Sequence, residues 1–296
     1  MDIRALAMGF AFAVMWSSAF TSARIVVAQA PPLSALALRF LISGLLGILV
    51  AKALGQSARL TRRQWRAVAI FGLCQNALYL GLNFVAMQTI PASLAAIVAS
   101  TMPLLVALAG WLVFGERPRP LAIAGLFAGI VGVAIIMGAR LTGGVDVTGL
   151  ALCVAGVISL TVATLSVREA SSSGNVLMIV GLQMLVGAAA LAVAAAAFER
   201  GASVEWSTSL ILAFVYTTLV PGLLATVVWF VLVNRIGAVK AATFHFLNPF
   251  LGVAIAAALL GEALGPLDAL GVAVIGAGIL AVQMARAGRA DRAARA

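Results

Sequence analysis

The chain has 296 residues, 64% of them hydrophobic and only 9% charged. Soluble domains carry about 25% charged residues, so a water-soluble fold is excluded and an all-α, polytopic membrane protein is expected. The net charge of +10 is spread over loops rather than gathered on one face, which excludes nucleic acid as a partner, and the two cysteines, Cys74 and Cys153, lie in apolar runs that suggest neither a disulfide framework nor a metal site.

Crossing the hydrocarbon core takes about 20 apolar residues. Ten segments meet that length, near 5–27, 33–54, 67–88, 92–114, 121–139, 148–167, 176–198, 208–233, 238–260 and 267–285. The first span crowds Trp16, Ser17 and Ser18 together. It exceeds the apolar core of a signal peptide and is interrupted by Arg24, so it is expected to be retained rather than cleaved. Pro31-Pro32 opens the second span, and Arg39 follows within it. In the third, Gln75, Tyr79 and Asn83 recur at i, i+4 and i+8, a stripe along one helical face, with Asn76 beside it. Ser100 and Thr101 precede Pro103 in the fourth. Ser159, Thr161 and Thr164 in the sixth are hydroxyls suited to capping backbone carbonyls. The eighth is expected to kink at Pro221-Gly222, with Thr226 and Trp229 beyond. The ninth holds "TFHFLNPF", with the chain's one histidine, His245, three residues before Asn248 and four before Pro249. Glycines mark the fifth and tenth spans (Gly125, Gly129, Gly271, Gly276) and permit close helix approach.

With both termini in the cytoplasm, Arg59, Arg62, Arg63, Arg66, Arg117, Arg119, Arg168, Arg235, Lys240 and the arginine-rich tail all fall inside. Only Arg140 and Arg200 fall outside. This is the asymmetry of the positive-inside rule and predicts a multi-pass protein with both termini cytoplasmic.

The chain also repeats. At one ungapped offset of 146, Pro103 meets Pro249, Gly115-Glu116 meets Gly261-Glu262, Pro120 meets Pro266, Gly125 meets Gly271 and Gly132 meets Gly278. Two copies are read, 1–145 and 146–296, the second with its basic tail. Five spans per copy is an odd number, so the copies enter the membrane from opposite sides. Inverted repeats are the signature of secondary transporters, with the substrate site near the midplane.

Trp16-Ser17-Ser18, Pro31-Pro32 with Arg39, and the repeated "P…GE…P…G" pattern resemble the drug/metabolite transporter superfamily in its EamA-type ten-span branch, over essentially the whole chain. Within it, the chain is most similar to bacterial exporters of amino acids, including the type that exports aromatic amino acids. The resemblance implies an inner-membrane metabolite exporter and leaves the metabolite open. No cofactor is implied.

Polar side chains are costly in hydrocarbon, so their pattern points to the site. The stripe in the third span has two readings, interhelical hydrogen bonding and the wall of a wet cavity, and several amides in line favour the wall. His245 and Asn248 share a face, with Phe244 four residues from Asn248. Pro249 removes a backbone donor, which would free the carbonyl of His245 for a ligand. The expected substrate-binding set is Trp16, Ser17, Gln75, Asn76, Tyr79, Asn83, Ser100, Trp229, Phe244, His245 and Asn248, with kinks at Pro103, Pro221 and Pro249. Arg24 and Arg39 lie close enough to the first outer loop to snorkel; attraction of a carboxylate at the outer mouth is the other possibility. No acidic residue falls in mid-span, so a membrane glutamate exchanging protons for cationic drugs is absent. A zwitterionic amino acid carried by uniport is the expected cargo. A nucleoside or purine, a polyamine or a sugar metabolite is the alternative. Without HExxH, GxSxG or a metal-spaced Cys–His pair, no enzyme is expected. Oligomeric state is open.

Overall fold

The computed structural model describes residues 3–113, 115, 118–142, 144–166, 175–237 and 241–293. Glu116, Arg117, Arg168 and Lys240, which carried part of the repeat and charge pattern, lie outside them. Among the described residues, ten helices are long and apolar enough to cross a membrane: Ile3–Val27, Pro32–Ala53, Arg62–Ala86, Ala92–Leu112, Pro120–Ala139, Val147–Leu165, Val176–Phe198, Thr208–Val233, Thr243–Leu260 and Pro266–Ala285. They are called spans 1 to 10. Span 3 begins five residues before the position read from hydropathy (62 against 67), because its first turn is polar. Thr61 Oγ1 accepts from the Gln64 N–H at 3.3 Å and Gln64 Oε1 from the Thr61 N–H at 2.9 Å, the reciprocal bond pair of a capping box.

Four spans are irregular, three of them at a proline. Span 3 runs as a π-helix over Gly72–Tyr79. Span 4 breaks at Thr101, and its second helix, Met102–Leu112, carries Pro103 in the first turn. The Ser100 and Thr101 hydroxyls donate to the Ala96 and Val98 carbonyls at 2.6 and 2.7 Å, a local substitute for bonds the break disturbs. Span 8 holds Pro221 within a π segment, Thr218–Leu224. Span 9 opens as a 3₁₀ turn, Thr243–Leu247, before Asn248–Leu260, with Pro249 in that helix's first turn.

The chain divides into two compact units, Met1–Thr21 with Ile90–Val147 and Leu224–Ala296, and Ser22–Thr89 with Thr148–Leu223. Each takes spans from both halves of the sequence, so compact unit and sequence copy are different divisions.

In the first unit, spans 5 and 10 pack antiparallel through glycines. A Cβ placed on Gly125 would lie 2.7 Å from the Gly278 carbonyl, and one on Gly278 2.6 Å from that of Gly125. Gly132 and Gly271 are related in the same way, each 2.9 Å from the other's carbonyl. Exchanging every residue for its counterpart at offset 146 turns the Gly125–Gly278 contact into the Gly271–Gly132 contact. The pairing is therefore symmetric under exchange of the copies, which fits an inverted duplication. Span 4 meets span 9 antiparallel as well: the Ala92 and Ser93 N–H groups donate to the Glu262 carboxylate at 2.7 and 2.9 Å. The Gly-Glu motif acquires a physical role here. Gly261 ends span 9 in the left-handed region at φ 65°, which glycine adopts without a Cβ clash. The next residue then reaches the N–H groups that the start of span 4 leaves unsatisfied. Gly115 has the same φ, 66°.

In the second unit, spans 2 and 7 are antiparallel and capped reciprocally. Glu199, just past span 7, accepts from the Leu33 and Ser34 N–H groups at 2.7 and 2.8 Å. Gln56, just past span 2, accepts from the Met178 N–H at 3.0 Å. At mid-length, Gly44 and Gly181 face each other, each Cβ position 3.0 Å from the other's carbonyl.

Candidate functional site

In the first unit, spans 1, 8 and 9 bring four rings together. Phe12 and Trp16 are one helical turn apart on span 1, so they share a face; their centroids are 5.7 Å apart. Trp229 of span 8 lies 4.7 Å from Phe12. The His245 imidazole completes the set, edge-on to Phe12 at 5.4 Å and to Trp16 at 6.3 Å, and tilted against Trp229 at 5.2 Å. These separations suit favourable aromatic contacts. Trp16, Trp229 and His245 are half-buried, while Phe12 is buried.

The polar part of the cluster comes from the 3₁₀ opening of span 9. His245 and Asn248, three residues apart, are held with Nδ1 of the imidazole 2.9 Å from Asn248 Nδ2. In the tautomer protonated at Nε2, Nδ1 accepts from that amide and Nε2–H remains a donor. Asn248 Oδ1 is buried without a partner among the described residues, an acceptor that a buried site does not leave idle without cost. Ser17 Oγ donates to the Asn248 carbonyl at 3.4 Å.

Three expectations are corrected here. The His245 carbonyl is not free, because the Asn248 N–H donates to it; the 3₁₀ turn supplies an i→i+3 bond where Pro249 cannot supply the i→i+4 one. Phe244 makes none of the imidazole's ring contacts among the described residues; it packs among Ala5, Leu232 and Ala241, its ring laid where a Cβ on Gly9 would be, and Trp229 packs against the same cluster. Ser100 is buried on its own helix, its hydroxyl spent on the Ala96 carbonyl.

The polar residues of span 3 belong to the second unit. Asn76, Tyr79 and Asn83 are buried there, while Gln75 is half-buried. The π register, with i→i+5 bonds, breaks the i, i+4, i+8 alignment and puts Asn76 in the place read for Gln75. The amides are engaged: Asn76 Nδ2 donates to the Gln183 carbonyl at 3.0 Å, and Asn83 Nδ2 to the Tyr79 carbonyl at 2.8 Å. Asn83 Oδ1 accepts from the Cys153 thiol at 3.3 Å. Ser159 Oγ donates to the Cys74 carbonyl at 2.9 Å, tying span 6 to span 3.

The two arginines are placed differently. Arg24 donates from Nη1 to the Met87 carbonyl at the end of span 3. Arg39 is buried, 7% exposed, with its guanidinium 5.3 Å from the ring of its neighbour Phe40. Sequence reasoning missed Phe12, whose spacing to Trp16 was the available signal, and the burial of Arg39, which has no sequence signature.

Among the described residues, ten apolar helices, antiparallel glycine pairings that map onto themselves under exchange of the copies, and breaks in spans 3, 4, 8 and 9 define a ten-span membrane protein. The pattern of the EamA-like transporter family matches the chain twice, over residues 3–138 and 147–284. The chain belongs to that family and is a membrane transporter. It is 27% identical over 251 residues to the uncharacterized transporter YvbV of Bacillus subtilis, covering 85% of this chain and 82% of that one. Over 136 residues it is 32% identical to the aromatic amino acid exporter YddG of Ancylobacter novellus, covering 46% of this chain and 47% of that one. A solved crystal structure with 26% identity aligns over 97% of this chain and 99% of its own, with a TM-score of 0.69.

Proposed function

We propose that this transporter exports zwitterionic amino acids, aromatic and other neutral ones, from the cytoplasm across the bacterial inner membrane. Both termini face the cytoplasm, where the positive-inside rule puts the basic loops. Export runs by alternating access of the inverted copies around a site near the midplane.

The observation that carries the reading is the ring cluster with its unpaired amide. The substrate's ammonium takes Asn248 Oδ1, the buried acceptor lacking a donor, and is attracted to the indole faces of Trp16 and Trp229. An aromatic side chain packs against the same rings. The name of the similar aromatic amino acid exporter supports the same cargo. His245 is an oriented hydrogen-bonding group here, held through Nδ1 by Asn248, rather than a proton carrier, so the mechanism is uniport down the substrate gradient.

The test is counterflow in proteoliposomes. Vesicles loaded with unlabelled phenylalanine should accumulate labelled phenylalanine transiently, saturably, and with no pH gradient imposed. Absence of counterflow for every neutral amino acid tried refutes the cargo. Flux that needs an imposed pH gradient refutes uniport.

A further inference from the structure

Arg39 is the one described residue of the second unit whose state has no explanation within the protein. It lies seven residues into span 2, about 10 Å along the helix from Pro32 at 1.5 Å per residue, and is 7% exposed. A charge at that depth is stabilised by a carboxylate or by carbonyl acceptors. Arg24 of the same unit follows the rule, donating to the Met87 carbonyl. Arg39 forms no hydrogen bond or ion pair with any described residue, and its Nε is buried without a partner. The Phe40 ring beside it belongs to its own helix.

Two further features converge on the guanidinium. Ser43, one helical turn on and buried, has a hydroxyl whose contact with the Thr218 carbonyl is long, 3.4 Å. Gly222, in the π segment of span 8 next to Pro221, has no side chain where one would meet both groups. A Cβ there would lie 3.5 Å from Ser43 Oγ and 3.7 Å from Arg39 Nη2. Irregular backbone at membrane depth is tolerated where it is buried in protein or lines a cavity.

We propose that Arg39, with the Ser43 hydroxyl, is a subsite of the second unit that binds the carboxylate of a small organic acid. A planar guanidinium presents paired N–H donors that match the two oxygens of a carboxylate. One cation with one hydroxyl suits a single negative charge better than a phosphate dianion. The inference rests on the amino-acid reading for the identity of the acid, but not for its carboxylate group.

The test compares acids with their uncharged amides. Dissociation constants are measured by fluorescence titration of the purified full-length protein in detergent. The ligands are phenylalanine, phenylacetate, other neutral amino acids and 2-oxo acids, each beside its carboxamide. Wild type should favour acid over amide by about thirtyfold or more, the low end for losing one partner of a buried charge pair. Arg39→Gln should abolish that preference by weakening the acids alone, and Arg39→Lys should keep part of it. Equal binding of acid and amide by wild type overturns the proposal without recourse to any variant. So does equal weakening of acids and amides in Arg39→Gln, and so does a wild type that binds no acid in the panel. Binding of 2-oxo acids but of no amino acid, with the acid preference intact, would leave the subsite standing and refute the amino-acid cargo instead.

Discussion

Replacing Glu262 with alanine removes both acceptors for the Ala92 and Ser93 N–H groups, which donate to the carboxylate at 2.7 and 2.9 Å. Nothing local takes over. The residue preceding span 4 is Pro91, which has no side-chain acceptor and makes no cap bond. A hydrogen bond to a charged group contributes about 1.5–3 kcal/mol. Glu262 is half-buried, so water can partly replace it, and the low end applies to each bond, about 3 kcal/mol for the two. For a chain of this length 1 kcal/mol corresponds to about 2 °C in melting temperature. Glu262→Ala should therefore melt about 6 °C below wild type in detergent. Glu262→Gln, which keeps one acceptor oxygen but not the charge, should fall about midway. The assay is thermal unfolding of purified protein followed by tryptophan fluorescence, with membrane abundance measured in parallel. An alanine variant that melts with wild type would refute the view that the Gly-Glu motif exists to cap the facing span.

Gly125→Ala and Gly132→Ala drive a methyl against the facing backbone of span 10, 2.7 Å from the Gly278 carbonyl and 2.9 Å from that of Gly271. Each should cost about 1–3 kcal/mol by overpacking, whereas Gly138→Ala, with no atom within 4 Å of its Cβ position, should melt like wild type. His245→Ala and Asn248→Ala should lower phenylalanine flux about tenfold, as expected for a lost hydrogen bond of ordinary strength, at unchanged membrane abundance; normal flux in both would remove the ring cluster from the transport path. Asn83→Ala should act on stability instead, since it strips a donor from the Tyr79 carbonyl and an acceptor from the Cys153 thiol, and a melting temperature equal to wild type would count against that division. Gln56→Glu places a negative charge at the start of span 7, where the amide already accepts from the Met178 N–H, and should stabilise by about 0.3–1 kcal/mol, read as a rise in melting temperature that added salt diminishes.

The spans were legible because length and apolarity are summed properties, robust to error in any single residue. The repeat was legible because proline and glycine act on the backbone directly: the aligned Gly115 and Gly261 have the same left-handed φ, so a motif conserved in spacing is also conserved in conformation. Side-chain direction was legible only where the helix is regular. Phe12 and Trp16 keep their one-turn relation, but in span 3 the π segment shifts the register, and the stripe read at four-residue steps loses Gln75 and gains Asn76. Nothing in "GLCQNALY" announces that shift. The same limit explains Phe244, since a 3₁₀ turn rotates successive side chains by more than an α-helix does, and its ring ends over Gly9.

The two polar centres differ in what a sequence can reveal about them. His245 and Asn248 are close in the chain, so spacing alone suggested a shared face, and the hydrogen bond between them follows from that spacing. Arg39 is close in the chain to nothing polar except Ser43. Its nearness to an outer loop made snorkelling the economical expectation. Whether a long cationic side chain reaches water depends on what flanks its helix, and here Gly222 of a distant span occupies that flank. A buried charge without an acceptor is thus a property of the assembled unit. Its cost, uncompensated within the described protein, is what makes an external anion the physical complement of the site.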